Sequence, residues 1–176
     1  MIKTINTLFV TMFGLGKVPK IPGTFGSLAT VIILYLFFHI FNLSSNLILI
    51  LLIVIFVLSF SAVAYHIRDN ENKDPKEVII DEFIGQSIPI YLYEISHGTE
   101  KSPNEALIFY SICFVLFRFF DIAKPFPVNF FDKNFKNSFG VIMDDICAGF
   151  YVVLSLICFM VLSSYFVYEI INQVIN

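Results

Sequence analysis

Residues 140–149 read GVIMDDICAG, and two adjacent carboxylates, Asp144 and Asp145, stand there at the mouth of a long apolar run. From Ile146 to Tyr168, 23 residues pass without one charged side chain. A helix of that length crosses the hydrocarbon core of a bilayer. Ionised groups at the edge of such a helix are costly to desolvate unless something pairs with them. Two readings of the pair follow. In one, Asp145 caps the helix and favours the positive end of its dipole, which leaves Asp144 without a task. In the other, the pair holds a divalent cation at the membrane surface. This stretch alone leaves both open.

The composition sets the class. Of 176 residues, 57% are hydrophobic and 14% charged, against about 45–50% and about 25% in ordinary soluble domains. The chain therefore reads as an integral membrane protein, all-α, with residues 1–176 forming a single membrane-embedded bundle. The net charge of −3 gives no general attraction to nucleic acid. Cys113, Cys147 and Cys158 all lie in apolar stretches and read as small buried side chains, not as a disulfide or metal set.

The spans follow from the charges. Residues 1–13 form a short apolar stretch that packs in the core or at the interface. Residues 14–27, GLGKVPKIPGTFGS, form a Gly/Pro loop with Ser27 as the N-cap of the next helix. Leu28–Ile67 holds 40 residues free of Asp, Glu, Lys and Arg, and NLSSN at 42–46 divides it into spans near 28–41 and 47–67. A charged loop, 68–82, leads to a short apolar segment at 83–93 and another helix at 106–117. Residues 130–139 read as a connector, and the last span starts near Asp145. About five helices are thus embedded in the membrane. With the amino terminus in the cytoplasm, ten of the 11 basic residues fall inside and only Lys101 outside, as the positive-inside rule requires.

This topology brings four polar motifs to one side. In the first, the glycines of 14–27 let backbone N–H groups approach an anion, and Lys17, Lys20, Thr24 and Ser27 add donors. The second is DEFIGQ at 81–86, with Asp81 and Glu82 at a helix start and Gly85 permitting close helix approach. The third is RFFDIAKPFP at 118–127. Its Arg118, Asp121 and Lys124 alternate in sign along one helix face, either as an ion-pair ladder or as a grip on phosphate. The fourth is the opening stretch. Carboxylates and cations at one boundary suit Mg²⁺ shared between protein and a phosphorylated ligand. His39, His66 and His97 are too scattered to suggest zinc. Cys113 stands five residues before Arg118, one short of a cysteine-phosphatase loop.

GLGKVPKIPGTFGSL, DEFIGQ, FRFFDIAKPFPVNFFDKN and GVIMDDICAG together resemble the phosphatidylglycerophosphatase A family, over roughly residues 8 to 160. Asn137–Ser138 departs from the glycines that many members carry before the last motif. The resemblance implies a Mg²⁺-dependent enzyme of the bacterial inner (cytoplasmic) membrane, facing the cytoplasm. It would remove the terminal phosphate of phosphatidylglycerophosphate in the cytoplasmic leaflet, giving phosphatidylglycerol and inorganic phosphate. On that basis Asp81, Glu82, Asp144 and Asp145 are expected to bind Mg²⁺, with Asp121 a further ligand or general base. Lys17, Lys20, Arg118 and Lys124 would hold phosphate oxygens, helped by Thr24 and Ser27. Asp121, Asp144, Asp145, Arg118 and Lys124 form the expected catalytic set. The competing readings are a small cation-binding transporter and a phosphatase of another phosphorylated lipid. The transporter predicts charge near mid-span, whereas here the acids gather at helix ends.

The topology is testable by reporter fusions. Those after Lys73 and Lys133 should report cytoplasm, and one after Gly98 the opposite side. A cytoplasmic signal at Gly98 would remove the third and fourth crossings.

Overall fold

Pro22 starts the first membrane helix earlier than its charge pattern suggests. Its ring fixes φ for a helix's first turn and its missing N–H is no loss there. In the computed structural model, which describes residues 1–68, 75–97 and 102–175 (without the side chains of 167 and 169–175), this helix is α2. It runs Pro22–Tyr35 and continues as a π-turn, Leu36–Ile40. Ile21, at φ 49°, turns the chain into it without a side-chain cap. Ser27 is therefore inside the helix rather than at its cap, and its hydroxyl donates back to the Gly23 carbonyl at 3.0 Å.

Before it lie α1 (Ile2–Val10) and a 3-10 turn at Leu15–Lys17. After it come α3 (Ser45–Ile67), capped by the Ser44 hydroxyl, and α4 (Ile80–His97). Then follow α5 (Pro103–Ala123), α6 (Val128–Asn134) and α7 (Ser138–Ile175). The architecture is all-α, with no strand among the described residues. A full capping box, Ser102 with Glu105, sets the start of α5.

Several boundaries differ from the sequence reading, each for a local reason. The 130–139 connector contains α6, a short helix that follows Pro127. The last helix begins at Ser138, not near Asp145. Asn137 is its cap: its side-chain oxygen accepts from the Phe139 and Gly140 amides, both at 3.1 Å. Asp144 and Asp145 thus sit a full turn and more into α7, and the helix-cap reading of the pair is excluded. The segment 83–93 extends to the 18 residues of α4, roughly 27 Å at the usual rise.

Among the described residues, four helices are long and apolar enough to cross a membrane: Pro22–Ile40, Ser45–Ile67, Pro103–Ala123 and Ser138–Phe166. Their outer faces expose apolar side chains such as Ile50, Val57, Ile108, Val115, Phe159 and Leu162. Such faces suit lipid, not water. α4 carries three carboxylates, Asp81, Glu82 and Glu94, and is instead the buried centre of the bundle. It is the fifth embedded helix. Lys73 and Lys101, which enter the charge-bias argument, lie outside the described residues.

What seats α4 is backbone proximity. A Cβ on Gly85 would collide with the carbonyl of Asp145, and one on Gly149 with the carbonyl of Gly85. Ala148, beside them, is completely buried. Small residues let membrane helices approach until dispersion contacts and backbone polar groups hold them, because lipid supplies no hydrophobic drive. Phe117 of α5 closes the same spot from a third side. Apolar clusters lie on both sides of this crossing: Val63, Ile79, Phe83 and Ile142 in one, Leu34, Ile90, Tyr110 and Val152 in the other.

Gly85→Ala should lower stability in detergent by about 1–3 kcal/mol, the cost of overpacking. Phe159→Ala, on the lipid-facing side of α7, should change it little. Thermal unfolding midpoints check both; equal shifts would mean that the α4–α7 approach is not a constraint.

Candidate active site

The close approach of α4 and α7 puts the start of one helix beside the second turn of the other. Asp81 and Glu82 come from the first turn of α4, and Asp144 and Asp145 from α7. Asp81, Asp144 and Asp145 are only 4–7% exposed. Ligand atoms of Asp81, Glu82 and Asp145 all lie within 4.8 Å of one another. Three carboxylates that close repel one another when ionised, the more so away from bulk water. A charge of opposite sign must offset them.

The cations come from α5 and its end. Arg118 Nη1 lies 2.6 Å from Asp121 Oδ2 and 3.5 Å from Ser27 Oγ. Gly23 makes room for this group: a Cβ there would meet the Glu82 carboxylate and lie 3.2 Å from Arg118 Nη1. Lys124 is the C-cap of α5, at φ 44°, a left-handed conformation that turns the chain towards α6. Its ammonium reaches Asp132 Oδ1 at 2.6 Å and Asp144 Oδ2 at 3.1 Å. Burial works against its charge, but the hydrogen bonds and charges of Asp132 and Asp144 outweigh burial and hold its pKa above the usual lysine range. Lys124 thus stays cationic at neutral pH. Asp144 also accepts from the Asp145 amide through Oδ1 at 3.0 Å.

All of these groups except Ser27 and Asp132 line one cavity of about 400 Å³, together with Thr24, Lys76 and the turn around Pro22. Asp81, Glu82, Asp121, Asp144, Asp145, Arg118, Lys124 and Thr24 are brought together there. Ser27 is buried just behind, within reach of Arg118. Lys17 and Lys20 are exposed and are not among the lining residues; Lys17 lines a second cavity instead.

Two participants escape the sequence reading. Lys76 belongs to a charged loop that looks solvated, and no periodicity marks it. Asp132 lies inside the FRFFDIAKPFPVNFFDKN stretch, so a signal existed, but as a connector residue it offers no reason to face Lys124.

The donor set fits a hard divalent cation. Three carboxylates converge, and Glu82 Oε2 is buried with no hydrogen-bond partner among the described residues. Oxygen-only donors of this kind suit Mg²⁺. The lining holds five carboxylates against three cationic side chains, a formal excess of two negative charges. A phosphate dianion would be repelled by that excess, and a bound divalent cation would cancel it.

Fold and site define a polytopic α-helical membrane protein with a carboxylate-rich, cation-flanked cavity at one end of its bundle. The family description Phosphatidylglycerophosphatase A matches residues 8–162. A phosphatidylglycerophosphatase A of Haemophilus influenzae is 33% identical over 147 residues, 84% of this chain and 83% of the relative. That of Escherichia coli is 32% identical over 142 residues, 81% and 76%. A Bacteroides thetaiotaomicron protein, provisionally named as a phosphatidylinositol-3-phosphatase, is 35% identical over 149 residues, 84% and 88%. No solved structure matches the chain. The chain belongs to the phosphatidylglycerophosphatase A family. It is accordingly an enzyme, a lipid phosphatase acting as a phosphoric monoester hydrolase.

Lys124→Met should cost about 1–3 kcal/mol, because it strands two carboxylates without their shared donor. Adding Asp144→Asn should recover part of that loss, since the pair is coupled. Chemical or thermal unfolding of the single and double variants measures the coupling; purely additive losses would show that the Lys124–Asp144 contact carries none.

Proposed function

We propose that the protein hydrolyses the terminal phosphate of phosphatidylglycerophosphate, giving phosphatidylglycerol and inorganic phosphate, with Mg²⁺ as cofactor. The reaction would occur in the cytoplasmic leaflet of a bacterial inner membrane. The observation that carries this reading is the convergence of Asp81, Glu82 and Asp145 in a cavity that also holds Arg118 and Lys124. The family and the named relatives support the substrate.

A phosphomonoester resists attack because its charge repels nucleophiles, so the site's first task is neutralisation and positioning. Asp81, Glu82 and Asp145 would hold the Mg²⁺. When bound, the cation supplies Lewis-acid stabilisation of phosphate charge. Arg118 presents its guanidinium to phosphate oxygens, and Asp121, 2.6 Å away, fixes its orientation. Lys124 adds a second positive charge. Asp144, occupied by Lys124, positions that ammonium rather than serving as a fourth ligand. Thr24, at the start of α2, offers a hydroxyl to the same cavity. Hydrolysis breaks the bond between phosphorus and the glycerol oxygen; the oxygen of water ends on phosphate and a proton on the released hydroxyl. The apolar outer faces leave the acyl chains in lipid while the headgroup enters the cavity, so the substrate need not leave the membrane.

The Bacteroides relative favours a second reading, in which the same site takes another phosphorylated lipid. Assaying phosphatidylglycerophosphate and phosphatidylinositol 3-phosphate side by side separates the two.

Purified protein in detergent should release phosphate with Mg²⁺, lose that activity in EDTA and regain it when Mg²⁺ is restored. Full turnover after rigorous chelation would remove the metal from the proposal. Asp145→Asn should insert and purify normally, since Asn137 caps the helix, yet lose roughly 100- to 1000-fold in rate. Asp144→Asn should lose less. Near-normal turnover of Asp145→Asn at limiting Mg²⁺ would leave Asp145 a structural residue.

A further inference from the structure

Gln86 is fully buried on α4, and neither Nε2 nor Oε1 of its carboxamide has a hydrogen-bond partner among the described residues. The other buried neutral polar side chains are satisfied. The hydroxyls of Thr11, Ser27, Thr30, Ser59 and Ser87 each donate to the carbonyl four residues earlier. A buried amide left unpaired costs stability, and an apolar residue of the same size would not. Packing alone therefore does not account for a glutamine here. We propose that Gln86 is a positioning residue of the cation site: through an ordered water, its carboxamide holds the Glu82 carboxylate in the orientation that meets the cation. The inference rests on the reading that Asp81, Glu82 and Asp145 bind a divalent cation.

The helix sets the direction. Residues four apart lie one above the other, and side chains in a helix lean towards its N-terminus. Gln86 thus lies one turn behind Glu82 on the same face and leans towards it. The N-terminal turn of α4 is the one that reaches the acidic cavity, through Asp81 and Glu82. The next residue back from Gln86 is Gly85, which packs against the carbonyl of Asp145, so the α7 carboxylate stands beside the same turn. Glu82 divides its two oxygens. Oε1 occupies the space that a Cβ on Gly23 would take, whereas Oε2 is buried with no hydrogen-bond partner among the described residues. Neighbouring side chains on one face therefore keep buried polar atoms that reach neither each other nor the backbone. Buried water joins groups of this kind, since it needs several polar partners. Here it accepts from Gln86 Nε2 and donates to Glu82 Oε2. Partners of this kind fix the orientation of a metal-binding carboxylate, and losing one lowers metal affinity about 10- to 100-fold.

Full-length protein in detergent, with Mg²⁺ or Mn²⁺ alone and no lipid substrate, tests this without turnover. Gln86→Met replaces the amide with an apolar chain of similar length. In EDTA its unfolding midpoint should equal or exceed the parent's. The Mg²⁺ concentration that gives half of the metal-induced rise in that midpoint should increase about 10- to 100-fold. Mn²⁺ binding, read from the electron paramagnetic resonance of the free ion, should weaken on the same scale. Gln86→Glu should behave in the opposite sense: less stable than the parent in EDTA, because a second carboxylate then faces Glu82, and regaining stability as Mg²⁺ is added. A Met variant with the parent's Mg²⁺ dependence, or a Glu variant as unstable with metal as without it, would overturn the role of Gln86 and leave the cation site in place. No metal-induced rise in the parent would overturn the cation reading and this inference with it.

Discussion

The structure depends on one backbone contact, where α4 and α7 cross at Gly85 and Gly149. In lipid, helices gain nothing by hiding apolar side chains from one another, so contact must come from fit. Two glycines facing each other give the closest fit that a helix pair can have. The Gly85 position has no room even for a methyl group, with the Asp145 carbonyl on one side and Phe117 on another. The same crossing fixes the distance between the start of α4 and the second turn of α7. Packing and site are therefore set together: the carboxylates of Asp81, Glu82 and Asp145 meet because the two glycines let the helices that carry them stand this close.

That meeting is unfavourable taken alone. Buried like charges raise one another's energy, and burial removes the water that would screen them. The fold answers with cations placed by geometry rather than by neighbourhood in sequence. Arg118 comes from the far end of α5 and passes through the space left at Gly23. Lys124 comes from a left-handed C-cap and is shared by α6 and α7. The remaining excess of negative charge gives the cavity its affinity for a divalent cation in the proposed reading. An enzyme acting on a phosphate dianion gains from this arrangement, because neither the acids nor the bases alone would accept both the metal and the substrate.

The two cavities divide the basic residues between them. Arg118, Lys124 and Lys76 line the carboxylate-rich cavity, and Lys3, Lys17 and Arg68 line the other. A partition of three residues, 76–78, separates these environments.

The sequence by itself determined the class of the protein and most of the site's inventory. Long runs without charge read as membrane helices, since lipid admits only helices and closed barrels, and barrel strands are short and alternate in polarity. Acids and bases confined to helix ends could only gather at the boundary. What tertiary structure decided was which of them meet. The start of α7 was hidden because Asn137 and Ser138 look like loop residues, so Asp144 and Asp145 seemed to be at a helix tip. Lys17 and Ser27 looked like parts of one anion loop, but the helix starts at Pro22, leaving Ser27 inside it and Lys17 beside α1. Asp132 gained its partner only when α6 folded back onto α7. The two helix starts rest on local features, Pro22 and the Asn137 cap, whereas which acids and bases meet depends on contacts between distant helices such as α4 and α7, which local patterns do not record.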